Sequence, residues 1–484
     1  MAYEKTVWKN REVERPRTFQ EVENPDGTIT LVPAEGNIIE AGTPIIAENM
    51  NKIEDEIELL DTRPSLIKFN RNPTPDDVDY DTGQLWLNED TGSIYVLLKI
   101  DKDGNAIWRG VNNTELIYPL KIYGVRIDMN NSNPLTSVIY TDDAVNMTPA
   151  PVGGGASEWD SVYPYSEIKP CLLKNGEIQT YLNSSNLAQK ADGTPADITT
   201  GDNGDVMVEF PVIYWKIWRE GQYLYVKYAN YKIDSTWKAL AHTKGSTLKD
   251  NIYISAFLGY ELNGKLRSLS GKTVTVNKPI GDFRTLAQAN GGGYSQMPYF
   301  AVLMLQILYL VKYKSRDSQT ALGRGFVDGN SAGSLTGSTN VKGIDFGETT
   351  GKQQMKFLNI EDFWGNYYYW LDGLVTDSSY NLLYSNDNFN DSGTGYEKFT
   401  TGISAYVSGY IDDVWGNTET GFIIKSKNGS ATTHFCDAGS LNSGQVACFG
   451  GSWSNSSDAG FTQLRLNNSA SAAWTGLAAR LFYA

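Results

Sequence analysis

The chain has 484 residues and a mass of 53.5 kDa, a length that predicts about two to four domains. With 40% hydrophobic and 20% charged residues, its composition is that of a folded protein and excludes a disordered polymer. The formal charge is −15, and the nearest thing to a basic stripe is Lys312, Lys314 and Arg316, which we predict to cap a helix. Because so acidic a body repels phosphate backbones, nucleic acid is excluded as a partner.

The residue types available for chemistry are few. The chain has 2 His and 3 Cys, against 29 Tyr, 12 Trp and 47 Gly, so aromatic surfaces and tight loops are favoured over metal or nucleophile chemistry. The sparse cysteines are typical of a protein that folds in a reducing cytosol, and the first residues lack the apolar core of a secretory signal. We therefore predict no catalytic residue, no metal site and no cofactor.

The first 45 residues are predicted to form an extended arm with one hairpin at most. A turn signal at Asn24-Pro25-Asp26-Gly27 precedes a short β-like run, Thr28 to Val32.

Residues 46–62 carry apolar side chains at alternating spacings of four and three: Ile46, Met50, Ile53, Ile57 and Leu60. This is a heptad seam, and its isoleucine content favours three strands over two. We expect a short trimerising helix and a homotrimer. The alternative, a short helix packed on its own domain, stays open because two heptads are marginal alone.

Residues 63–115 are predicted to form a small β-meander spacer. Its strands are QLWLNE, SIYVLLKI and AIWRGV, joined by turns that contain Gly92 and Gly104.

From about residue 116 to residue 484 short strands alternate with loops rich in glycine, asparagine and serine. Strand candidates include KIYGVRID, DVMVEFPVIYWKIW, QYLYVKYANYKI and NIYISAFLGYEL, and the longest predicted helix runs from about Ser295 to Lys314. The fold class expected for the whole chain is α+β with little helix. The longest apolar run, Tyr299 to Val311, is too short for membrane insertion.

Two local patterns imitate catalytic or metal motifs. Gly329-Asn330-Ser331-Ala332-Gly333 matches G-x-S-x-G, but it lies in a Gly/Ser-rich loop and not between a strand and a helix. Asn386, Asn388, Asn390 and Glu397 have the spacing of a calcium loop, but Asp391 stands where glycine is needed. We interpret both as plain loops.

Four short motifs carry a resemblance to a known family. GGSW, Asp458-Ala459-Gly460, Asn467-Asn468-Ser469 and Ala479-Arg480-Leu481 resemble the C-terminal signature of C-type-lectin-fold proteins of the formylglycine-generating-enzyme-like branch. The stretch IEDFWGN, followed by WLDGL, resembles that branch's mid-domain motif. The resemblance covers residues 116–484 and implies a C-type-lectin-like domain, used in phages and diversity-generating retroelements as a ligand-binding scaffold.

Enzyme members of that branch use a cysteine pair and copper to oxidise a substrate cysteine. Cys436 and Cys448 lie near the C-terminus, but we cannot place them on that pair and interpret them as buried or incidental thiols.

The N-terminal part has a resemblance of its own. WKNREVERPRTF, AGTPIIAENMNKIE and DTGQLWLNEDTGSIYVL are similar to tail fibre or tail-tip proteins of phages that infect Gram-positive bacteria. Together the resemblances imply a receptor-binding protein of the virion tail, with phage tail or baseplate proteins bound at its N-terminus and a bacterial surface glycan or protein at its C-terminal domain. The alternative is a tail-associated enzyme, either a polysaccharide depolymerase or a cysteine-oxidising relative.

The resemblance implies that the segment between GGSW and the final Arg-Leu strand displays its side chains outward. Gly450, Gly451, Ala459, Gly460 and Arg480 would then be scaffold. The predicted ligand-binding residues are Ser454, Asn455, Thr462, Gln463, Arg465, Trp474 and Thr475. Trp474 is the expected anchor, because an exposed indole stacks on a sugar face. The alternative, that Trp474 packs inward as core beside Ala472 and Ala473, stays open. Arg465 offers a planar donor fork to carboxylate or phosphate.

Overall fold

The computed structural model describes residues 12–40, 66–101, 104–111, 116–117, 121–329 and 331–484. The chain divides into two compact units, Met1–Pro119 and Leu120–Ala484. The predicted trimerising helix, residues 46–62, lies outside the described residues.

In the smaller unit, the arm contains a hairpin at the predicted turn. The N–H of Asn24 donates to the carbonyl of Thr28 at 2.7 Å, and Gly27 supplies the positive φ, 82°, that the turn requires. The two-stranded sheets here pair Phe19–Glu23 with Ile29–Pro33 and Glu12–Val13 with Ile38–Glu40.

The spacer region forms a five-stranded sheet. Trp86 and Trp108 are fully buried and meet edge to face, with ring centroids 5.5 Å apart. All neighbours are antiparallel except the first pair, which is parallel and was not expected from a meander. The strand order is Leu66–Phe69, Leu85–Asn88, Ile94–Ile100, Ala106–Gly110 and Leu116–Ile117.

Three larger sheets build the second unit. The four-stranded sheet has the order Val138–Asp142, Ile122–Asp128, Tyr223–Ala229, Tyr214–Glu220. The seven-stranded sheet, antiparallel throughout, has the order Asn186–Lys190, Glu177–Asn183, Lys169–Lys174, Asp205–Pro211, Asn251–Ser255, Leu481–Tyr483, Tyr294–Gln296. The eight-stranded sheet has the order Glu397–Phe399, Leu382–Tyr384, Tyr368–Thr376, Val446–Phe449, Leu464–Asn468, Ala438–Leu441, Val407–Tyr410, with Leu477–Ala478 parallel to Tyr368–Thr376.

Smaller elements complete the unit. Two-stranded pairs are Thr243–Lys244 with Thr247–Leu248, Tyr260–Leu262 with Lys265–Arg267, Lys356–Phe357 with Ile360–Glu361, and Asp413–Val414 with Ile424–Ser426. The described helices are Ile280–Gln288, Tyr299–Tyr313 and Ser318–Ala321, with 3-10 turns at Glu158–Ser161 and Ser456–Asp458. The described chain is therefore mostly β with few helices, and none of its helices is long and apolar enough to cross a membrane.

The helix Tyr299–Tyr313 is the centre of the core. All of its residues are buried, as its apolar character on every side predicts. It starts later than the predicted Ser295, because Ser295 belongs to a strand and Pro298 disfavours helix in the residue before it. It ends at Tyr313, and its C-cap, Lys314, adopts the left-handed conformation with φ of 50°.

The basic cluster at the end of this helix does more than cap it. Lys312 is fully buried, with its Nζ 2.9 Å from Asp160 and 2.8 Å from Asp345. Arg316 is also fully buried and donates to the backbone carbonyl of Asn131. Lys312 lies in the last turn and Lys314 is the C-cap, as the helix-capping prediction expects, whereas Arg316 lies beyond the helix end and contacts a distant loop.

The run DVMVEFPVIYWKIW was predicted as one strand. The structure divides it into Asp205–Pro211 in the seven-stranded sheet and Tyr214–Glu220 in the four-stranded sheet. Pro211 has no N–H to continue a ladder, and the chain changes sheets just after it.

The motifs that carried the family resemblance contact one another. Arg480 is fully buried, and its Nη2 donates to the carbonyls of Glu361 at 2.7 Å and Asp362 at 3.0 Å. The N–H of Trp453 donates to the carbonyl of Asn366 at 3.0 Å. The C-terminal signature and the mid-domain motif are thus one hydrogen-bonded scaffold.

Candidate functional site

Successive side chains of the strand Leu464–Asn468 point alternately into the core and toward the surface. Leu464 and Leu466 are buried in the core, whereas Arg465 and Asn467 are partly exposed on the opposite face of the eight-stranded sheet. Arg465 lies directly opposite Ser440 on one neighbouring strand.

The seven predicted ligand-binding residues do not share one environment. Ser454 and Thr475 are exposed, Asn455, Arg465 and Trp474 are partly exposed, and Thr462 and Gln463 are fully buried.

The outward placement of Thr462 and Gln463 is a prediction that the structure corrects. The hydroxyl of Thr462 donates to the buried carboxylate of Asp437 at 2.8 Å, and its N–H donates to the same oxygen at 3.0 Å. The amide of Gln463 donates to the hydroxyl of Tyr368 at 2.9 Å. Both side chains are buried inside the protein, although Oε1 of Gln463 has no hydrogen-bond partner among the described residues, so they support the surface and do not form it.

Asp437 is the buried group that Thr462 contacts through one carboxylate oxygen, while its other oxygen has no hydrogen-bond partner among the described residues. Burial raises the pKa of its carboxyl well above the ordinary value, although the hydrogen bonds from Thr462 act in the opposite direction. Gly460 lies against the same carboxylate, and any Cβ there would overlap it. Glycine is therefore needed at this position for space, which agrees with the scaffold role predicted for it.

Trp474 is half-buried and packs inward. Its ring meets the fully buried ring of Trp370 edge to face, with centroids 6.2 Å apart. Its indole N–H side faces Gly476, where a Cβ would lie 3.2 Å from Nε1. Trp474 therefore lies at one end of the sheet face that carries Arg465, and only part of its ring is exposed.

Asn455 shapes the loop that follows GGSW. Its side-chain oxygen accepts from the N–H and the hydroxyl of Ser452, at 2.8 and 2.7 Å. Ser454 and Thr475 remain exposed.

Arg465 is partly exposed and packs against the ring of Tyr368. Its guanidinium carbon lies 4.9 Å from the centre of the Tyr368 ring, which fixes the planar group by a cation–π interaction. Asp458 is 3.8 Å away, longer than a hydrogen bond. Within the described part of the chain no side-chain hydrogen bond uses the guanidinium donors, so they are available to a ligand.

Tyr406 is the residue that the sequence analysis missed. It is 47% exposed, and Asn467 donates to its hydroxyl at 3.3 Å. Burial acts to raise its pKa, but hydrogen bonds with Ser408 and Asn467 and the nearby charge of Arg465 outweigh it, and the pKa lies below the usual value. The alternation Tyr406, Ser408, Tyr410 was the available signal, because it places two tyrosines on one side of an edge strand.

These side chains form one surface, which we call the tyrosine–arginine face. The hydroxyls of Tyr410 and Ser457 are 2.7 Å apart and tie the edge strand to the loop after GGSW. The members of this face are Tyr406, Ser408, Tyr410, Ser457, Asp458, Arg465 and Asn467. It combines rings, hydroxyls, an amide and a cation–carboxylate pair, which is a set suited to binding polar ligands.

One cysteine lies close to this face, because Cys448 is directly opposite Arg465 on a neighbouring strand. The three cysteines are buried and free, and burial raises the pKa of Cys448 to about 12. Burial also lowers the pKa of His242 to about 4. Among the described residues, no group of three or more His, Cys, Asp and Glu side chains could hold a metal ion.

The loop with calcium-like spacing is closed by its own hydrogen bonds. The side-chain oxygen of Asn390 accepts from the N–H groups of Ser392, at 3.2 Å, and Thr394, at 3.1 Å. That oxygen therefore already has partners within the loop.

No protein-family model matches the sequence, and no curated protein matches it. Among solved structures, the chain is similar to the Major Tropism Determinant P3c variant at 10% identity, over 87% of this chain and 98% of that one, with a TM-score of 0.23. For the U1 variant the identity is 8%, the coverage 85% and 98%, and the TM-score 0.23. At these TM-scores the likeness does not establish a shared fold.

Proposed function

We propose that this chain is a receptor-binding protein of a phage tail, and that the tyrosine–arginine face of a C-type-lectin-like domain binds a bacterial surface ligand. The observation that carries the proposal is that exposed Tyr406 lies near the charge of partly exposed Arg465, beside the fully buried Thr462 and Gln463. Such a surface loses little side-chain entropy on binding, because its rings and guanidinium are already held in place.

The family resemblance supports the same proposal. Its motifs lie far apart in sequence, yet Arg480 bonds the mid-domain pair Glu361 and Asp362. In a chance match, separate motifs would have no reason to meet. The N-terminal resemblance implies a tail protein, which supports the same proposal.

Weak contacts at one face are sufficient if several copies act together. A homotrimer, with several fibres on a virion, raises the effective concentration of the second and third sites without any new contact. The trimer remains a proposal that rests on the Ile46 to Leu60 seam.

An enzyme is the rival proposal, in two forms. A cysteine-oxidising relative needs reactive thiolates, and the buried Cys436 and Cys448 have pKa values raised by desolvation. A polysaccharide depolymerase needs a pair of carboxyl groups at a cleft. The carboxylate of the tyrosine–arginine face, Asp458, lies beside Arg465 on an open surface, which favours binding.

The test is adsorption of the purified full-length protein to intact cells and envelope fractions of Gram-positive bacteria. Tyr406→Ala and Arg465→Ala should each weaken binding at least severalfold, and leave the melting temperature unchanged. Arg109→Ala, an exposed arginine of the smaller unit, is the matched control and should bind as the parent does.

The same incubation distinguishes receptor binding from the rival proposal, an enzyme. Release of reducing ends from the envelope in proportion to protein and time identifies a depolymerase and overturns the proposal. Binding that is unchanged in both variants would place the receptor site elsewhere.

A further inference from the structure

The outer face of the four-stranded sheet holds an unusual set of side chains. Trp218 and Tyr225 are directly opposite each other on neighbouring strands and stack face to face, with centroids 4.8 Å apart and ring planes within 10° of parallel. Beside them, Lys216 and Lys227 are also directly opposite. We call these four residues, with Arg126, the aromatic–lysine face.

Two like charges opposite each other destabilise a sheet, so their presence needs a reason. Both ammonium groups lie near one indole: Lys216 Nζ is 5.0 Å and Lys227 Nζ is 5.5 Å from the centre of the Trp218 ring. In a chain of net charge −15, convergence of two cations on one aromatic wall is a local exception.

Nearby acids neutralise this pair only in part. Lys227 forms an ion pair with Asp142 at 2.6 Å, whereas Lys216 forms none within the described residues. Hydrogen bonds from Thr236 lower the pKa of the exposed Asp234, and the charge of Lys216 adds to this. One ammonium group therefore remains open to an external anion.

A third cation extends the charge across the sheet. Arg126 is directly opposite Tyr225, and its guanidinium carbon lies 4.5 Å from the ring centre of Tyr223. Since neighbouring strands are about 4.8 Å apart, cations stand on three successive strands over roughly 10 Å. This spacing suits a polymer with repeated anionic groups better than a single small anion.

The base of this face is rigid. The side chains that alternate with it, Trp215, Ile217, Leu224 and Val226, are 0–2% exposed in the core. Gly124 lies directly opposite Lys227, and its missing side chain leaves room for the lysine stem, because a Cβ there would overlap Lys227.

From these observations we infer that the aromatic–lysine face is a second binding surface, and that its ligand is a glycan or polyol chain linked by phosphodiester groups. Ammonium groups act as compact point charges that suit the spread charge of a phosphodiester. The apolar faces of sugar or polyol units pack against the Trp218–Tyr225 wall. The inference shares no residue with the tyrosine–arginine face and does not rest on the proposed function.

The test titrates the full-length protein with a synthetic glycerol phosphate oligomer and measures the dissociation constant at low and physiological salt. Lys216→Gln should weaken binding severalfold, and Lys216→Gln with Lys227→Gln by about tenfold, the effect of two partly exposed ion contacts. The matched control is Lys342→Gln, an exposed lysine 4.8 Å from the Phe346 ring centre. The melting temperature should not change in Lys216→Gln or Lys342→Gln, whereas the double variant also loses the Lys227–Asp142 ion pair, so its binding is compared at a temperature where it is fully folded.

Three further probes decide the ligand class. Dextran, which is uncharged, and polygalacturonate, which carries carboxylates, should bind at least tenfold more weakly than the phosphate oligomer. Equal binding of either overturns the phosphodiester assignment. Equal or tighter binding of duplex DNA overturns the glycan assignment, and an unchanged dissociation constant in the double lysine variant overturns the surface itself. Loss of cell adsorption in Tyr406→Ala with normal oligomer binding separates the two faces.

Discussion

The sequence left two roles open for Trp474, an exposed binding anchor and an inward-packed core residue. The structure allows the effect of replacing it on stability to be calculated. Removing a fully buried indole costs about 3–5 kcal/mol, and Trp474 is half-buried. An edge-to-face pair such as the one with Trp370 contributes about 1 kcal/mol beyond its buried area. We therefore expect Trp474→Ala to lower the free energy of unfolding by about 2 kcal/mol.

The assay is calorimetric unfolding of the full chain, following the transition of the larger unit. At about 2 °C per kcal/mol for a domain of this size, the melting temperature should fall by about 4 °C. Trp474→Phe keeps a ring against Trp370 and should recover more than half of the loss. If Trp474→Ala leaves the unfolding free energy unchanged but abolishes adsorption to cells, the packing argument is refuted and the indole is an exposed anchor.

Three further outcomes are expected. Leu305→Asp places an unpaired charge at a fully buried position and should abolish soluble expression, whereas Leu335→Asp, at a 54% exposed position, should express normally. Gly460→Ala should lower the melting temperature by several degrees, because its Cβ overlaps a buried carboxylate, whereas Gly292→Ala has open space and should not. His242 has a pKa lowered to about 4 by burial, so the unfolded chain binds more protons between pH 6.5 and 4. The free energy of unfolding should fall by about 3 kcal/mol as pH falls through that window. Chemical denaturation at pH 7 and pH 4 measures this difference, which should be smaller in His242→Gln.

The sequence predicted elements best where their pattern was long and local. The helix Tyr299–Tyr313 and the strands around Trp86 and Trp108 follow from apolar runs with clear boundaries. The helix Ile280–Gln288 was missed although Ile280, Phe283 and Ala287 mark its buried side. The apolar pattern of this helix is only nine residues long, and the glycine-rich loop that follows it made a helix harder to predict.

The candidate site was harder to predict because exposure depends on contacts between distant residues. Arg465 follows the alternation of its own strand, and its partly exposed position could be predicted. Gln463 is two residues before Arg465 and should point to the same side of an extended chain. It is buried nevertheless, because Tyr368 from another part of the chain covers it. Thr462 is buried by Asp437, and no local pattern signals either contact.

The buried polar contacts also explain how a surface of this kind can vary without loss of the fold. Thr462 donates to one oxygen of the Asp437 carboxylate and Gln463 donates to the Tyr368 hydroxyl inside the protein. Replacing either therefore removes the partner of a buried polar atom, at about 1–3 kcal/mol. Replacing the exposed Ser454 or Tyr406 leaves no buried polar atom unpaired, because water can hydrogen-bond to the groups that they contact. Positions only a few residues apart thus differ in tolerance for a physical reason, and the side chains that can change without loss of stability are those exposed at the surface.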